Sequence, residues 1–62
     1  MNDGLRNRVV EAIEQFSEAF SAAETEETRG NLDDLADAAD VLMRTVARVL
    51  IVVERELADG NA

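Results

Sequence analysis

The sequence predicts an all-α fold in which two antiparallel helices form a hairpin and the hairpin dimerises into a four-helix bundle. Apolar residues recur at alternating three- and four-residue intervals in two segments, as they do on helices that are buried along one side. Gly30 and Asn31 separate the two segments and are typical of a turn. The second segment has an apolar stripe too wide for one neighbouring helix, which predicts a second chain.

The length of the chain, 62 residues, predicts a single helical-hairpin domain over residues 1–62. A chain this short leaves much of its surface exposed when folded, so its stability is marginal without a further constraint. The sequence contains no Cys and no His, which removes disulfides and the usual zinc ligands as constraints. Self-association is the remaining constraint, and the predicted partner is another copy of the chain.

Helix 1 is predicted to span about residues 4–27. Either Asn2 or Asp3 can cap its first turn. The turn is predicted at about 28–31, where Gly30 suits a left-handed cap at the end of the helix. The apolar stripe of helix 1 consists of Leu5, Val9, Ile13, Phe16, Phe20 and Ala23.

Helix 2 is predicted at about 32–58, with Asn31 as its N-cap. The main apolar stripe consists of Leu32, Leu35, Ala39, Leu42, Val46, Val49 and Val53, and a parallel row consists of Ala36, Met43, Leu50 and Leu57. The expected register places Phe20 against Ala36 and Ala39, so that large side chains meet small ones. The predicted oligomer interface comprises Phe16, Phe20, Leu35, Leu42, Met43, Val46, Val49, Leu50, Val53 and Leu57.

The charges are acidic overall and unevenly placed. The chain has fourteen Asp and Glu residues and six Arg, which gives a formal net charge of −8. This charge argues against direct nucleic-acid binding. Five of the arginines fall at the open end of the hairpin, where helix 1 begins and helix 2 ends, and most carboxylates fall near the turn. Two hairpins should therefore lie with the turn of one beside the open end of the other.

The composition also bears on cell location. Arg without Lys is typical of proteins from a high-salt cytoplasm, and a GC-rich genome gives the same replacement. The first fifteen residues resemble no secretory signal, because they carry carboxylates and lack an apolar core. The longest apolar run, Val49 to Val53, is far below the ~20 residues that cross a bilayer. A cytoplasmic protein without membrane contact is expected.

Candidate chemistry is sparse, and we expect neither an enzyme nor a cofactor or metal site. Without His or Cys no nucleophilic triad can form. Segment 33–37 reads Asp-Asp-Leu-Ala-Asp, a pattern that binds magnesium-diphosphate on helices, but such sites need a second carboxylate cluster and a large apolar cavity, so we interpret the segment as a solvated acidic first turn of helix 2. Glu11, Glu14 and Glu18 share one helical face, which we interpret as solvent-exposed.

Three functional hypotheses remain. The first is a small acidic helical module for protein-protein interaction or regulation, acting as a homodimer. The second is an acidic inhibitor or nucleic-acid mimic that occupies a basic site on a DNA-binding or defence protein. The third is a small subunit or antitoxin-like chain that is ordered by a different partner protein. The possible partner-binding acidic end consists of Asp33, Asp34, Asp37 and Asp40. The arginines on the outer face of helix 2 pair with acids or dock an acidic partner: Arg44, Arg48 and Arg55.

Overall fold

The computed structural model describes residues 2–60, which form two packed helices, α1 (Asp3–Thr25) and α2 (Arg29–Gly60). The predicted all-α hairpin is therefore confirmed. Its dimensions are 51 × 16 × 13 Å, and its radius of gyration is 15.0 Å. A compact chain of this length would have a radius of gyration of about 10.6 Å. Residues 2–60 thus form a single layer of two helices, with no third element among them to cover it.

The first helix begins at a side-chain cap. The Asn2 side-chain oxygen accepts a hydrogen bond from the backbone N–H of Leu5 at 2.7 Å. This bond satisfies one of the amide groups that lack an intrahelical partner at a helix start. Asp3 lies one residue inside the helix, where its carboxylate favours the positive end of the helix dipole. Of the two candidate caps, Asn2 is therefore the one used.

The turn lies nearer the N-terminus than the sequence predicted, at residues 26–28 in place of 28–31. Thr28 caps α2: its hydroxyl oxygen accepts from the backbone N–H of Asn31 at 3.1 Å. The carbonyl of Thr28 accepts from the backbone N–H of Leu32 at 3.0 Å, the first hydrogen bond of the helix. Thr and Asn both cap helices well, and the earlier residue takes the role here.

Asn31, predicted as the N-cap of helix 2, instead closes the turn from inside α2. Its side-chain NH₂ donates to the backbone carbonyls of Glu26, at 2.8 Å, and of Ala22, at 3.3 Å. Both carbonyls lie at the end of α1 and also accept a backbone N–H: that of Thr28 at 2.9 Å for Glu26, and that of Glu26 at 3.0 Å for Ala22. One amide side chain therefore ties the end of the first helix to the start of the second.

Gly30 was predicted as a left-handed cap, and that prediction is wrong. Gly30 lies in the first turn of α2, and no glycine within residues 2–60 has a positive φ. A Cβ atom added to Gly30 would meet no atom within 4 Å. The three-residue turn reverses the chain without a left-handed residue, so the conformational freedom of glycine is not used there.

Gly30→Ala is accordingly expected to stabilise the protein by about 0.5–1 kcal/mol, because alanine is favoured over glycine inside a helix. Urea denaturation followed by circular dichroism measures the change. Gly60→Ala, at the last residue of α2, is the matched control and should have a smaller effect. A left-handed Gly30 would give the opposite sign, so a loss of stability in Gly30→Ala would contradict the helix start described above.

The helices meet along a seam of residues spaced three and four apart, and all of these residues are buried or half-buried. The seam consists of Leu5, Val9, Ala12, Phe16, Ala19 and Ala23 in α1 and Leu35, Ala38, Leu42, Thr45, Val49 and Val52 in α2. Several seam residues are small, which lets two helices approach closely. Thr45 is the polar member, and its hydroxyl donates to the Val41 carbonyl at 2.8 Å, so its polar group is not left unpaired.

The seam is rotated from the predicted stripes by about one residue. Ile13 and Phe20, predicted to face helix 2, have exposed fractions of 51% and 46%. Leu32 and Val46, members of the predicted main stripe of helix 2, are also exposed. The expected contact of Phe20 with Ala36 and Ala39 therefore does not form the centre of the packing. Each helix has an apolar arc wide enough to offer two edges, and the hairpin buries the edge with smaller side chains.

α2 is longer than α1 and extends beyond it at the open end. α1 has 23 residues and α2 has 32. Leu5, near the start of α1, lines one small groove together with Arg48 and Val52. The start of α1 is therefore level with about Val52. Residues 53–60 continue past it for about 12 Å, at 1.5 Å per helical residue.

Candidate interaction surface

Seven of the ten large hydrophobic side chains that are exposed within residues 2–60 fall on the same side of the hairpin. Most of them directly follow a seam residue: Ile13 follows Ala12, and Val46 follows Thr45. Because the helices run in opposite directions, a step of one residue past the seam leads to the same side in both. We call this side the apolar face. It comprises Ile13 and Phe20 of α1, bordered by the seam residues Val9 and Phe16, and Leu32, Ala36, Ala39, Met43, Val46, Leu50, Val53 and Leu57 of α2.

The apolar face is the most exposed apolar surface of the hairpin and runs the whole length of α2. Met43 is 65% exposed and Leu57 is 61% exposed, the highest values among the exposed large hydrophobic side chains. Within residues 2–60 only three hydrophobic residues are buried, all of them in α1: Leu5, Ala12 and Ala23. A continuous apolar surface of this length typically marks a binding site for another protein.

Two aromatic rings stand on the α1 side of the apolar face. The rings of Phe16 and Phe20 stack with their centroids 6.2 Å apart and an angle of 20° between their planes. Offset stacking of this kind adds an attraction between the two rings beyond their shared apolar burial. Phe is among the residues that are enriched at the centre of protein interfaces.

The predicted interface residues divide between the seam and the apolar face. Leu35, Leu42 and Val49 lie on the seam, where they are half-buried against α1. Phe16 lies on the seam where it borders the apolar face, and the other predicted residues lie on the apolar face: Phe20, Met43, Val46, Leu50, Val53 and Leu57. The prediction omitted Ile13 and Leu32, which are exposed on this face. Their spacing of seven residues from Phe20 and from Ala39 was the signal that could have found them.

The opposite side of the hairpin, which we call the polar face, carries open grooves between the helices. The groove near the turn has Glu18, Asp34 and Asp37 on its edges and small residues such as Ala22 and Ala38 along its floor. Toward the open end the grooves are lined by Arg8 and Arg48. The polar face is thus divided into an acidic half near the turn and a basic half near the open end.

The predicted acidic end is split between two surfaces. Asp34 and Asp37 line the polar face. Asp33 and Asp40 are seven residues apart and lie on the far side of α2 from α1. The Asp40 carboxylate is 3.2 Å from the Arg44 guanidinium, a pair one helical turn apart that is largely exposed and therefore contributes little stability. A single acidic site formed by all four aspartates is not what the fold produces.

The carboxylates of the hairpin do not converge. Within residues 2–60, no group of three or more acidic side chains is arranged to hold a metal ion. The Asp-Asp-Leu-Ala-Asp segment is divided as described above, and Glu14 lies on the exposed outer side of α1. In the same part of the chain, neither helix has a stretch both long and apolar enough to cross a bilayer.

Comparisons with known proteins give no functional lead. No protein-family model matches the chain, and no curated protein or solved structure is significantly similar to it. The basis for assigning a function is therefore the chemistry of the surfaces themselves, above all that of the apolar face.

Proposed function

We propose that this chain is a small acidic protein-protein interaction or regulatory module that acts as a homodimer, in which two hairpins bury their apolar faces against each other as a four-helix bundle. The observation that carries the proposal is the position of the apolar face relative to the seam. One residue, or about 100° around the helix, separates the two. In a four-helix bundle each helix contacts two neighbours, and the directions to these two neighbours differ by about 90° around the helix axis. The seam and the apolar face therefore match the two contacts that each helix must make.

The exposed area supports the same assembly. The hairpin exposes 4939 Å². A compact folded chain of 6.8 kDa would expose about 4,000 Å². The excess of roughly 900 Å² is close to the ~800 Å² that each partner buries in a stable interface of standard size. A second hairpin on the apolar face would therefore bring the chain to an ordinary surface area for its mass.

The polar faces would point outward in such a bundle. Their grooves and charges would then be available for contact with a further protein, while the apolar faces supply the stability that a single hairpin lacks. A regulatory role follows from this division: one face holds the two copies together, and the other is free to bind or release a partner of complementary charge.

The proposal is tested by size-exclusion chromatography with light scattering, together with circular dichroism, at low and high salt. We expect a helical species of twice the 6.8 kDa chain mass at both salt concentrations. Apolar burial does not weaken in salt, and repulsion between chains of net charge −8 is screened.

A helical monomer at micromolar concentration would overturn the proposal and favour the acidic inhibitor or nucleic-acid mimic. A largely unfolded chain that becomes helical only when a different protein is added would overturn it as well, in favour of the partner-ordered subunit.

A further inference from the structure

We infer that the two copies pack in opposite directions, with the turn of one hairpin beside the open end of the other and with α2 packed against α2 of the partner copy along its whole length. This inference rests on the homodimer proposed above and specifies its orientation and register. Three features of the hairpin carry it: the extension of α2 beyond α1, the spacing of the apolar residues on α2, and the distribution of charge.

The apolar residues in the extension of α2 beyond α1 are buried by a partner helix in only one of the two orientations. Val53 is half-buried at the start of the extension, and Leu57 is exposed within it. If the two turns lay at the same end, each α2 would pack beside α1 of the partner copy, and both extensions would project past every neighbouring helix. In the opposite orientation each extension lies on the first two turns of the partner copy's α2, which places apolar surface against it.

The spacing of the α2 residues on the apolar face reads the same in both directions. Successive intervals are four, three, four, three, four, three and four residues, centred between Arg44 and Thr45. When two such helices pack antiparallel about this centre, every apolar residue comes level with another apolar residue. The level pairs are Leu32 with Leu57, Ala36 with Val53, Ala39 with Leu50, and Met43 with Val46. Both alanines meet larger aliphatic side chains, which is the large-to-small match that close packing favours.

The charge distribution favours the same orientation. Residues 18–40 around the turn, which we call the turn half, hold eight carboxylates and one arginine, and the remaining residues, the open half, hold six carboxylates and five arginines. Two turn halves side by side would repel each other strongly, whereas a turn half beside an open half would not. Salt screens this electrostatic preference. The apolar burial of the α2 extension and the match in spacing between the two α2 helices do not depend on salt.

The assembled dimer would carry one strongly acidic tip at each end. A helix the length of α2, 32 residues, spans about 48 Å, so the two tips would lie about 50 Å apart. Each tip includes the acidic half of one polar face. A homodimer built this way presents two equivalent acidic surfaces that face away from each other, and it can contact two basic partners at once.

The orientation is tested by pulsed electron-electron double resonance on full-length chains with single spin labels. The sequence has no Cys, so one introduced cysteine takes one label. Glu27→Cys places the label on an exposed residue of the turn, and Ala47→Cys places it near the middle of α2. We expect about 50 Å between the two turn labels and a much shorter distance between the central labels.

The outcomes separate the orientation from the dimer itself. A short turn-to-turn distance in a species of dimer mass would overturn the orientation and leave the homodimer standing. Absence of any dipolar coupling at either position, with a monomer mass by light scattering, would overturn both. Circular dichroism of each labelled chain shows that the hairpin has stayed helical.

Discussion

Val46→Lys is expected to dissociate the proposed homodimer, whereas Val41→Lys should leave it intact. The two valines belong to the same helix and are almost equally exposed in the hairpin, at 43% and 47%. Val46 lies on the apolar face, and Val41 lines the grooves of the polar face. A lysine at position 46 would be buried without a carboxylate partner when two hairpins meet, and burying an unpaired charge costs several kcal/mol.

Sedimentation equilibrium or light scattering over a concentration series measures the effect. A destabilisation of about 3 kcal/mol corresponds to a loss of affinity of more than 100-fold. Val41→Lys adds the same charge to the same helix near Asp37, so it controls for helix propensity and for net charge. Equal dissociation constants for the two variants would mean that the apolar face is not the dimer interface.

Phe20→Ala is expected to destabilise the dimer by about 3 kcal/mol, the usual cost of removing a buried phenylalanine. In the single hairpin Phe20 is about half exposed and contacts the ring of Phe16, so its removal from a monomer would cost much less. The effect should therefore depend on assembly. Thermal melting at several chain concentrations measures it, because the melting temperature of a dimer rises with concentration.

Ile51→Ala is the matched control for Phe20→Ala. Ile51 is also about half exposed, but it lies on the outer side of α2, away from both the seam and the apolar face. Its truncation should change stability by no more than about 0.5 kcal/mol. If Phe20→Ala melts at the same temperature as the unaltered chain, the aromatic pair is not part of the interface, and the register of the bundle must be different.

The helical hairpin could be predicted from sequence because its signals act over long segments. An apolar period sustained over seven turns in the second half of the chain identifies a helix whatever its exact ends. The sequence has no proline, and its apolar pattern is interrupted around Gly30, so a hairpin is the simplest arrangement. These features depend on many residues at once, so no single misread residue alters them.

The turn could not be placed as accurately, because several residues near it can play the same part. Thr28 and Asn31 are both good caps, and Gly30 suits either a left-handed cap or an ordinary helical position. The outcome depends on a hydrogen bond between elements: the Asn31 side chain reaches carbonyls at the end of α1. Sequence periodicity contains no information about such a bond.

The sequence identified most of the apolar residues, but it did not predict which of them form the seam and which form the apolar face. On each helix the apolar arc covers two adjacent edges, and hydropathy alone does not say which edge meets the other helix. The hairpin selects the edge with Ala12, Ala19 and Ala38. Larger residues such as Phe20 and Leu50 are thereby left on the apolar face. Side-chain size decides this division, since small residues allow the closer approach of two helices.

The lack of any buried residue in α2 has a consequence for how the chain responds to its abundance. Because no residue of α2 is fully buried by its own chain, the helix opens readily, and slow amide hydrogen exchange in α2 would report contact with a second molecule. If the chain forms the homodimer proposed above, structure and association form one equilibrium, and the ordered fraction rises with the number of copies present. At low expression such a chain would be short-lived, exposed to proteases along its longer helix, and synthesis rate alone could switch it on.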